Sequence, residues 1–137
     1  MKFVIAVVFL VTCLVFLQTS AVTPDELEIL ITHSRDCRAK TGATVEMMTM
    51  VVAGFFPEDP KIKAQLFCIS KKLHFQTEEG EINFEPLTKR VNHILRDSEK
   101  TKIIIKKCAN KKFSPEETAY HALKCFTEVG KINLLTA

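Results

Sequence analysis

Four cysteines follow an apolar N-terminal segment, and they restrict the fold of this chain more than any other feature. They stand at positions 37, 68, 108 and 125, while a fifth, Cys13, lies inside the apolar segment. An even number of cysteines in a small secreted domain indicates disulfides, and four cysteines allow three connectivities. Two bridges of about 3 kcal/mol each would be a large share of the roughly 5 to 15 kcal/mol that stabilises a typical domain.

Residues 1–21 have the pattern of a secretory signal peptide. A lysine precedes an almost unbroken apolar run that ends at Leu17, and Thr19 and Ala21 suit the small-residue positions of a signal-peptidase site. A membrane anchor is the alternative, but an apolar core of about 15 residues is short for a span of roughly 20, and no cationic flank follows. We therefore expect this segment to be removed with its cysteine, and residues 22–137 to form one secreted domain.

The charged residues are mixed along the chain and argue against a nucleic-acid partner. The chain has 19 Lys and Arg residues against 16 Asp and Glu, so without Lys2 the net charge is near +2. No basic block is interleaved with aromatic residues, the pattern that nucleic-acid binding favours. No second long apolar run follows the first, so stable membrane insertion of the mature protein is not expected either.

Local start and stop signals predict an all-α domain. Four segments begin with a polar residue followed by proline, at Thr23-Pro24, Asp59-Pro60, Glu85-Pro86 and Ser114-Pro115. Glycines follow several apolar-periodic runs and indicate helix ends. The predicted helices cover residues 24–40, 45–53, 60–74, 86–96, 99–110 and 115–129, and the predicted ends are at Gly42, Gly54, Gly80 and Gly130.

The fifth predicted helix contains three consecutive isoleucines, a composition that also suits a strand. Its neighbours are helical and no partner strand is evident, so we interpret it as a helix.

Two His/Cys pairs at helical i, i+4 spacing raise a zinc hypothesis. His33 and Cys37 lie on the first predicted helix, and His121 and Cys125 repeat the spacing on the sixth. Two histidines and two cysteines form a common tetrahedral zinc site, but disulfides in an oxidising compartment would consume the cysteines. We therefore expect disulfides, no metal and no cofactor.

No catalytic motif is present in the sequence. It lacks a nucleophile elbow, a zinc-protease motif, a phosphate-binding loop and a dinucleotide glycine pattern. Acidic residues in helix first turns, such as Glu26 and Glu117, are explained by capping and by the helix dipole. The sequence thus favours a binding or structural protein over an enzyme.

The interior must be mainly aliphatic, since the chain has no Trp and one Tyr. The segment 45–52, VEMMTMVV, concentrates three flexible Met side chains that adapt to irregular shapes. Such an interior either fills completely or encloses a cavity for an apolar ligand. Periodicity does not separate a carrier of apolar ligands from a secreted structural or effector protein that acts through its surface.

The cysteine spacing, C-x30-C-x39-C-x16-C, resembles that of the insect odorant-binding protein family over the whole mature chain. That family usually has six cysteines, and the two missing here would align with Ala64 and Glu116, which in the family are bonded to each other. The gap of seven residues between Cys108 and Glu116 is slightly short for the family. Because both partners of one bridge are absent together, the sequence looks like the four-cysteine, minus-C subgroup.

The resemblance implies the bridges Cys37–Cys68 and Cys108–Cys125, and a central hydrophobic pocket that reversibly binds odorants, pheromones or fatty-acid-like lipids. It also implies transport of these ligands in sensillar lymph or haemolymph, a membrane receptor as a further partner, and a monomer or weak homodimer. With one bridge lost, we expect ligands to enter by local helix displacement and selectivity to be broad.

The lining of this implied pocket is chosen from the apolar faces of the predicted helices. The chosen residues are Leu30, Met48, Val51, Val52, Leu66, Leu73, Val91, Leu95, Ile104, Leu123 and Phe126, with the tail residues Ile132, Leu134 and Leu135 as a lid. Tyr120 and His121 are the candidates for a polar contact to a ligand hydroxyl or carbonyl, and the alternative is that both face solvent.

Overall fold

The computed structural model describes residues 24–135, apart from the side chains of residues 24–27, 29 and 30. Within these residues the chain forms six helices: α1 (Pro24–Thr41), α2 (Val45–Val52), α3 (Pro60–Lys72), α4 (Phe84–Leu95), α5 (Ser98–Cys108) and α6 (Pro115–Glu128). The all-α prediction is confirmed, including the helical interpretation of the isoleucine-rich α5. The predicted signal peptide and the side chain of Leu30 lie outside the described residues.

The predicted capping residues begin two of the helices as expected. At the start of α3, Asp59 Oδ1 accepts a hydrogen bond from the Lys61 N–H at 2.8 Å. At the start of α6, Ser114 Oγ accepts one from the Glu117 N–H at 3.1 Å. Helix α4 differs, because it begins at residue 84 and not at Pro86. Proline is tolerated there since the N–H that it lacks has no intrahelical partner in the first turn.

The helix ends follow the prediction only in part. Gly42 and Gly54 adopt positive φ after α1 and α2, as expected. Helices α3 and α4 instead end near non-glycine residues in the left-handed region, His74 with φ of 62° and Arg96 with φ of 52°. Gly80 therefore does not end α3, and its role lies in the loop that follows.

The loop of residues 73–83 folds back on itself between α3 and α4. The Asn83 N–H donates to the Phe75 carbonyl at 2.9 Å, which closes the loop at its base. Its tip packs on the start of α6, where a Cβ added at Gly80 would lie 2.4 Å from Pro115 Cβ. Since φ of Gly80 is also +88°, this close approach of loop and helix requires glycine.

Two disulfides join helices that also pack against each other. Cys37–Cys68 links α1 to α3 and Cys108–Cys125 links α5 to α6, the pairing that the family resemblance implies. Helix α3 packs on both α1 and α6, and α5 packs on both α4 and α6. The contact between α3 and α6 therefore joins the two cross-linked pairs into one body. No helix within residues 24–135 is long and apolar enough to cross a membrane.

The C-terminal tail is not helical in residues 131–135, yet it is buried. Ile132, Leu134 and Leu135 are 6%, 3% and 6% exposed. Asn133 Nδ2 donates to the Val52 carbonyl at 3.2 Å and so attaches the tail to the end of α2. The tail thus supplies one wall of the interior.

Candidate functional site

Most of the residues predicted to line a pocket share one buried cluster. Its buried members from that set are Met48, Val51, Leu66, Val91, Ile104, Tyr120, Leu123, Phe126, Ile132, Leu134 and Leu135. Leu73 and Leu95 are partly buried against it. Val52 is 45% exposed, so its assignment to the interior is wrong. Adjacent helical residues point about 100° apart, and in α2 it is Val51 that takes the inward direction.

A cavity of about 20 Å³ lies between the 73–83 loop, α3, α4, α6 and the tail. Its lining consists of Ser70, Phe75, Gln76, Ile82, Leu87, Thr118, Ala119, Ala122, Leu123, Phe126 and Leu134. From the predicted set it brings together Leu123, Phe126 and Leu134. The volume suits about one water molecule. A larger ligand therefore requires the tail or the lining side chains to move.

Sequence reasoning missed several residues of this lining. Leu87 lies on an apolar helical face that was recognisable from its periodicity, and Phe75 and Ile82 are apolar positions at the two ends of a polar loop. Gln76 carried no such signal, because a polar residue in a predicted loop is expected to be exposed. In the structure it is 5% exposed.

Tyr120, one of the predicted polar contacts, is fully buried and already hydrogen-bonded. Its hydroxyl donates to the Phe56 carbonyl at 2.6 Å, which ties α6 to the loop between α2 and α3. The two rings meet edge to face with centroids 6.0 Å apart. Burial raises the pKa of the Tyr120 phenol, so the hydroxyl stays protonated and keeps donating. A ligand carbonyl would have to compete with a protein carbonyl for this donor.

A cluster of charged residues lies beside Tyr120. Lys63 Nζ is 2.5 Å from Glu117 Oε1, 2.7 Å from Glu58 Oε2 and 5.1 Å from the centroid of the Tyr120 ring. The hydrogen bonds that Lys63 donates to Glu117 and Glu58 raise the pKa of Lys63, and the bond to Glu58 holds the pKa of that carboxyl below its ordinary value. His121, the second predicted polar contact, places Nε2 3.0 Å from Glu117 Oε2 with its side chain 42% exposed. It belongs to this cluster and not to the lining of the cavity.

The zinc hypothesis loses its sulfur ligands in this structure. Cys37 and Cys125 are each in a disulfide, so neither offers a thiolate to a metal. Among residues 24–135 no three His, Cys, Asp or Glu side chains converge as a metal site requires.

A second concave region is an open groove of about 490 Å³ between α4 and α5. Seven of its eight lining residues are polar or charged, among them Lys89, Asn92 and Lys102, and Phe84 is the apolar one. The cavity beside the tail, by contrast, has a mostly apolar lining. It is the better candidate for an apolar ligand.

Comparisons with known proteins agree with this geometry. Residues 19–129 match the model of the PBP/GOBP family. The chain is 30% identical to the B1 protein of Tenebrio molitor over 116 residues, which cover 85% of this chain and 89% of that protein. It is 32% identical to the B2 protein of the same species over 105 residues, covering 77% and 82% of the two chains.

A solved structure shares the fold. Odorant binding protein 5 of Apis mellifera superimposes with a TM-score of 0.65 at 20% identity, covering 79% of this chain and 92% of that one. The match of the family over most of the chain, together with the six helices and two disulfides, gives one conclusion. The chain belongs to the PBP/GOBP family of small-ligand-binding proteins.

Proposed function

We propose that the protein is a secreted carrier that reversibly binds small hydrophobic molecules, such as odorants, pheromones or fatty-acid-like lipids, in an internal pocket. The observation that carries the proposal is an apolar cavity, lined by α3, α4, α6 and the tail, in a member of a family that binds small hydrophobic ligands. When a ligand binds, the neighbouring side chains and the tail move apart, and the cavity becomes larger. No catalytic step is part of the proposal.

The tail is the element most suited to act as the lid. Burying Ile132, Leu134 and Leu135 stabilises the docked tail by about 5 to 9 kcal/mol in total, at roughly 1.5 to 3 kcal/mol each. Ordering residues 131–135 costs about 1 to 2 kcal/mol per residue, which nearly offsets that gain. Segments with such a small net docking free energy open locally without global unfolding.

The affinity of such a pocket follows from ligand size. Each buried methylene contributes roughly 0.8 kcal/mol, so a ligand of ten to fifteen carbons gains about 8 to 12 kcal/mol before association costs of at least about 4 kcal/mol. The net gain of about 4 to 8 kcal/mol corresponds to a dissociation constant of about millimolar for ten carbons and about micromolar for fifteen. Since this gain depends on apolar area more than on shape, selectivity for chain structure is broad.

The four-cysteine assignment is also part of the proposal. Ala64 and Glu116, which would align with the missing cysteines, are the direct neighbours of Lys63 and Glu117. These two neighbours contact each other at 2.5 Å, with side chains only 16% and 13% exposed. An ion pair between α3 and α6 therefore lies beside the place where the third bridge of the family would be.

We further propose that residues 1–21 are a signal peptide and that residues 22–137 circulate as one domain in sensillar lymph or haemolymph. Removal of the signal peptide takes Cys13 away and leaves the four disulfide-bonded cysteines. The carrier is proposed to act as a monomer or weak homodimer, and a membrane receptor is the proposed recipient of its ligand.

A second candidate function is a secreted structural or effector protein that acts through surface contacts. The small volume of the cavity, about 20 Å³, favours it, because a nearly filled interior needs no ligand. The two candidates differ in whether the oxidised protein takes up apolar molecules.

Uptake is tested with the fluorescent probe N-phenyl-1-naphthylamine on the oxidised protein. A carrier enhances probe fluorescence, and unlabelled aliphatic ligands of ten to fifteen carbons then displace the probe. Native mass spectrometry of the same sample shows one ligand per chain and the mass of two disulfides. No probe uptake and no ligand adduct would favour the surface-acting protein instead.

A further inference from the structure

The side-chain amide of Gln76 is buried with only one of its two ends hydrogen-bonded. Its Nε2 donates to the Gly80 carbonyl at 3.1 Å and to the Pro115 carbonyl at 3.2 Å. Because both partners are acceptors, only the NH2 end of the amide can face them, and the orientation of the amide is settled. Gln76 Oε1 is buried, and no donor among the described residues contacts it.

A buried amide oxygen without a donor is unfavourable, and Gln76 lines the apolar cavity beside the tail. One water would fit there, but a buried water needs two to four polar partners. Thr118 Oγ1, another polar atom of the lining residues, already donates to the Ser114 carbonyl and accepts from the Lys112 N–H. A water on Gln76 would thus have at most the Ser70 hydroxyl as a further side-chain partner among the lining residues, fewer than the roughly three hydrogen bonds that a buried water usually makes.

We propose that Gln76 Oε1 accepts a hydrogen bond from the hydroxyl group of the bound ligand, and that the pocket therefore prefers long-chain aliphatic alcohols. The inference rests on the proposed carrier function and names its ligand class. An alcohol brings one donor to the one unfilled acceptor, and its chain takes the apolar space. Ethers, esters and aldehydes bring no donor. A carboxylate brings only acceptors and a charge that no cationic lining residue balances.

The test is displacement of N-phenyl-1-naphthylamine by three ligands of equal chain length: 1-dodecanol, methyl dodecyl ether and dodecanoate at pH 7. Wild-type protein is expected to bind the alcohol about five to ten times more tightly than the ether, the usual effect of one buried hydrogen bond. Gln76→Met is expected to bind the ether as tightly as the wild type does, and to bind the alcohol and the ether about equally.

Gln65→Met is the matched control. Gln65 is also fully buried, but its Oε1 accepts from Thr41 Oγ1 at 2.7 Å and its Nε2 donates to the Ser34 carbonyl at 2.9 Å. It does not line this cavity, so the preference for the alcohol stays as in the wild type. Circular dichroism verifies that each variant is folded.

A measurement on the wild type covers the case in which Gln76→Met does not fold. The 13C resonance of the Gln76 side-chain carbonyl is expected to shift when dodecanol binds and to stay in place with the ether. Equal affinity for alcohol and ether, an unmoved resonance, or a preference that survives in Gln76→Met would overturn the inference while leaving a carrier. Absence of probe uptake would overturn the carrier function together with it.

Discussion

Leu134→Ala is expected to release the tail, whereas Leu66→Ala destabilises the whole domain. Both leucines are buried, at 3% and 0% exposure, and replacing such a residue by alanine usually costs about 2 to 5 kcal/mol. Leu66 lies in the middle of α3, a helix that packs on both α1 and α6, so the whole domain loses this free energy. Leu134 lies in a tail whose docking free energy is close to zero, so the loss is limited to about 1 to 2 kcal/mol, beyond which the tail detaches.

Urea unfolding of the two variants measures this difference, and hydrogen exchange locates it. In Leu134→Ala the Ile132 amide, which donates to the Phe126 carbonyl at 3.1 Å, should lose its protection while helix amides keep theirs. Ligand dissociation should become several times faster, because the lid opens more often. If Leu134→Ala lowers the free energy of unfolding as much as Leu66→Ala and tail protection persists, the tail is an integral part of the core and the reasoning is refuted.

Three further predictions concern the interior and the contact between α3 and α6. Tyr120→Phe should lower the free energy of unfolding by about 1 to 2 kcal/mol in urea titrations, since it leaves a buried carbonyl without its donor; an unchanged value would mean that water replaces the hydroxyl. The pKa of Glu58 is held below its ordinary value of 4.5, so the carboxylate adds stability above that pH and loses it as the pH falls. Lys63→Met should therefore make the loss of stability between about pH 5 and pH 3 shallower, and an equal slope in both proteins would contradict this. The double variant Ala64→Cys/Glu116→Cys should form a third disulfide and gain up to about 4 kcal/mol, whereas two free thiols in a titration would place these positions too far apart.

The local features that were predicted correctly depend on neighbours in the chain. The cap at Ser114 involves a backbone N–H three residues away, and the apolar face of α6 is set by the helical repeat. The disulfide pairing, in contrast, did not follow from the sequence alone, which left three connectivities open. It came with the resemblance to the family, and the structure has the same pairs.

The details of the site depend on segments that are far apart in sequence. Tyr120 meets a carbonyl 64 residues away, and Gln76 meets one 39 residues away at Pro115. Sequence periodicity carries no information about contacts between segments that are so far apart in the chain. It therefore indicated neither the hydrogen bond of Tyr120 within the protein nor the place of Gln76 in the cavity lining.

The sequence by itself determined the helices and an aliphatic interior, because propensity, capping and hydrophobic periodicity act over a few residues. Only the tertiary structure decided that Val52 faces outward, that the tail closes one wall, and how large the cavity is. These properties follow from the way separate helices and loops pack against one another. In a close-packed interior, a change in volume of about one methylene group is enough to open or fill a space.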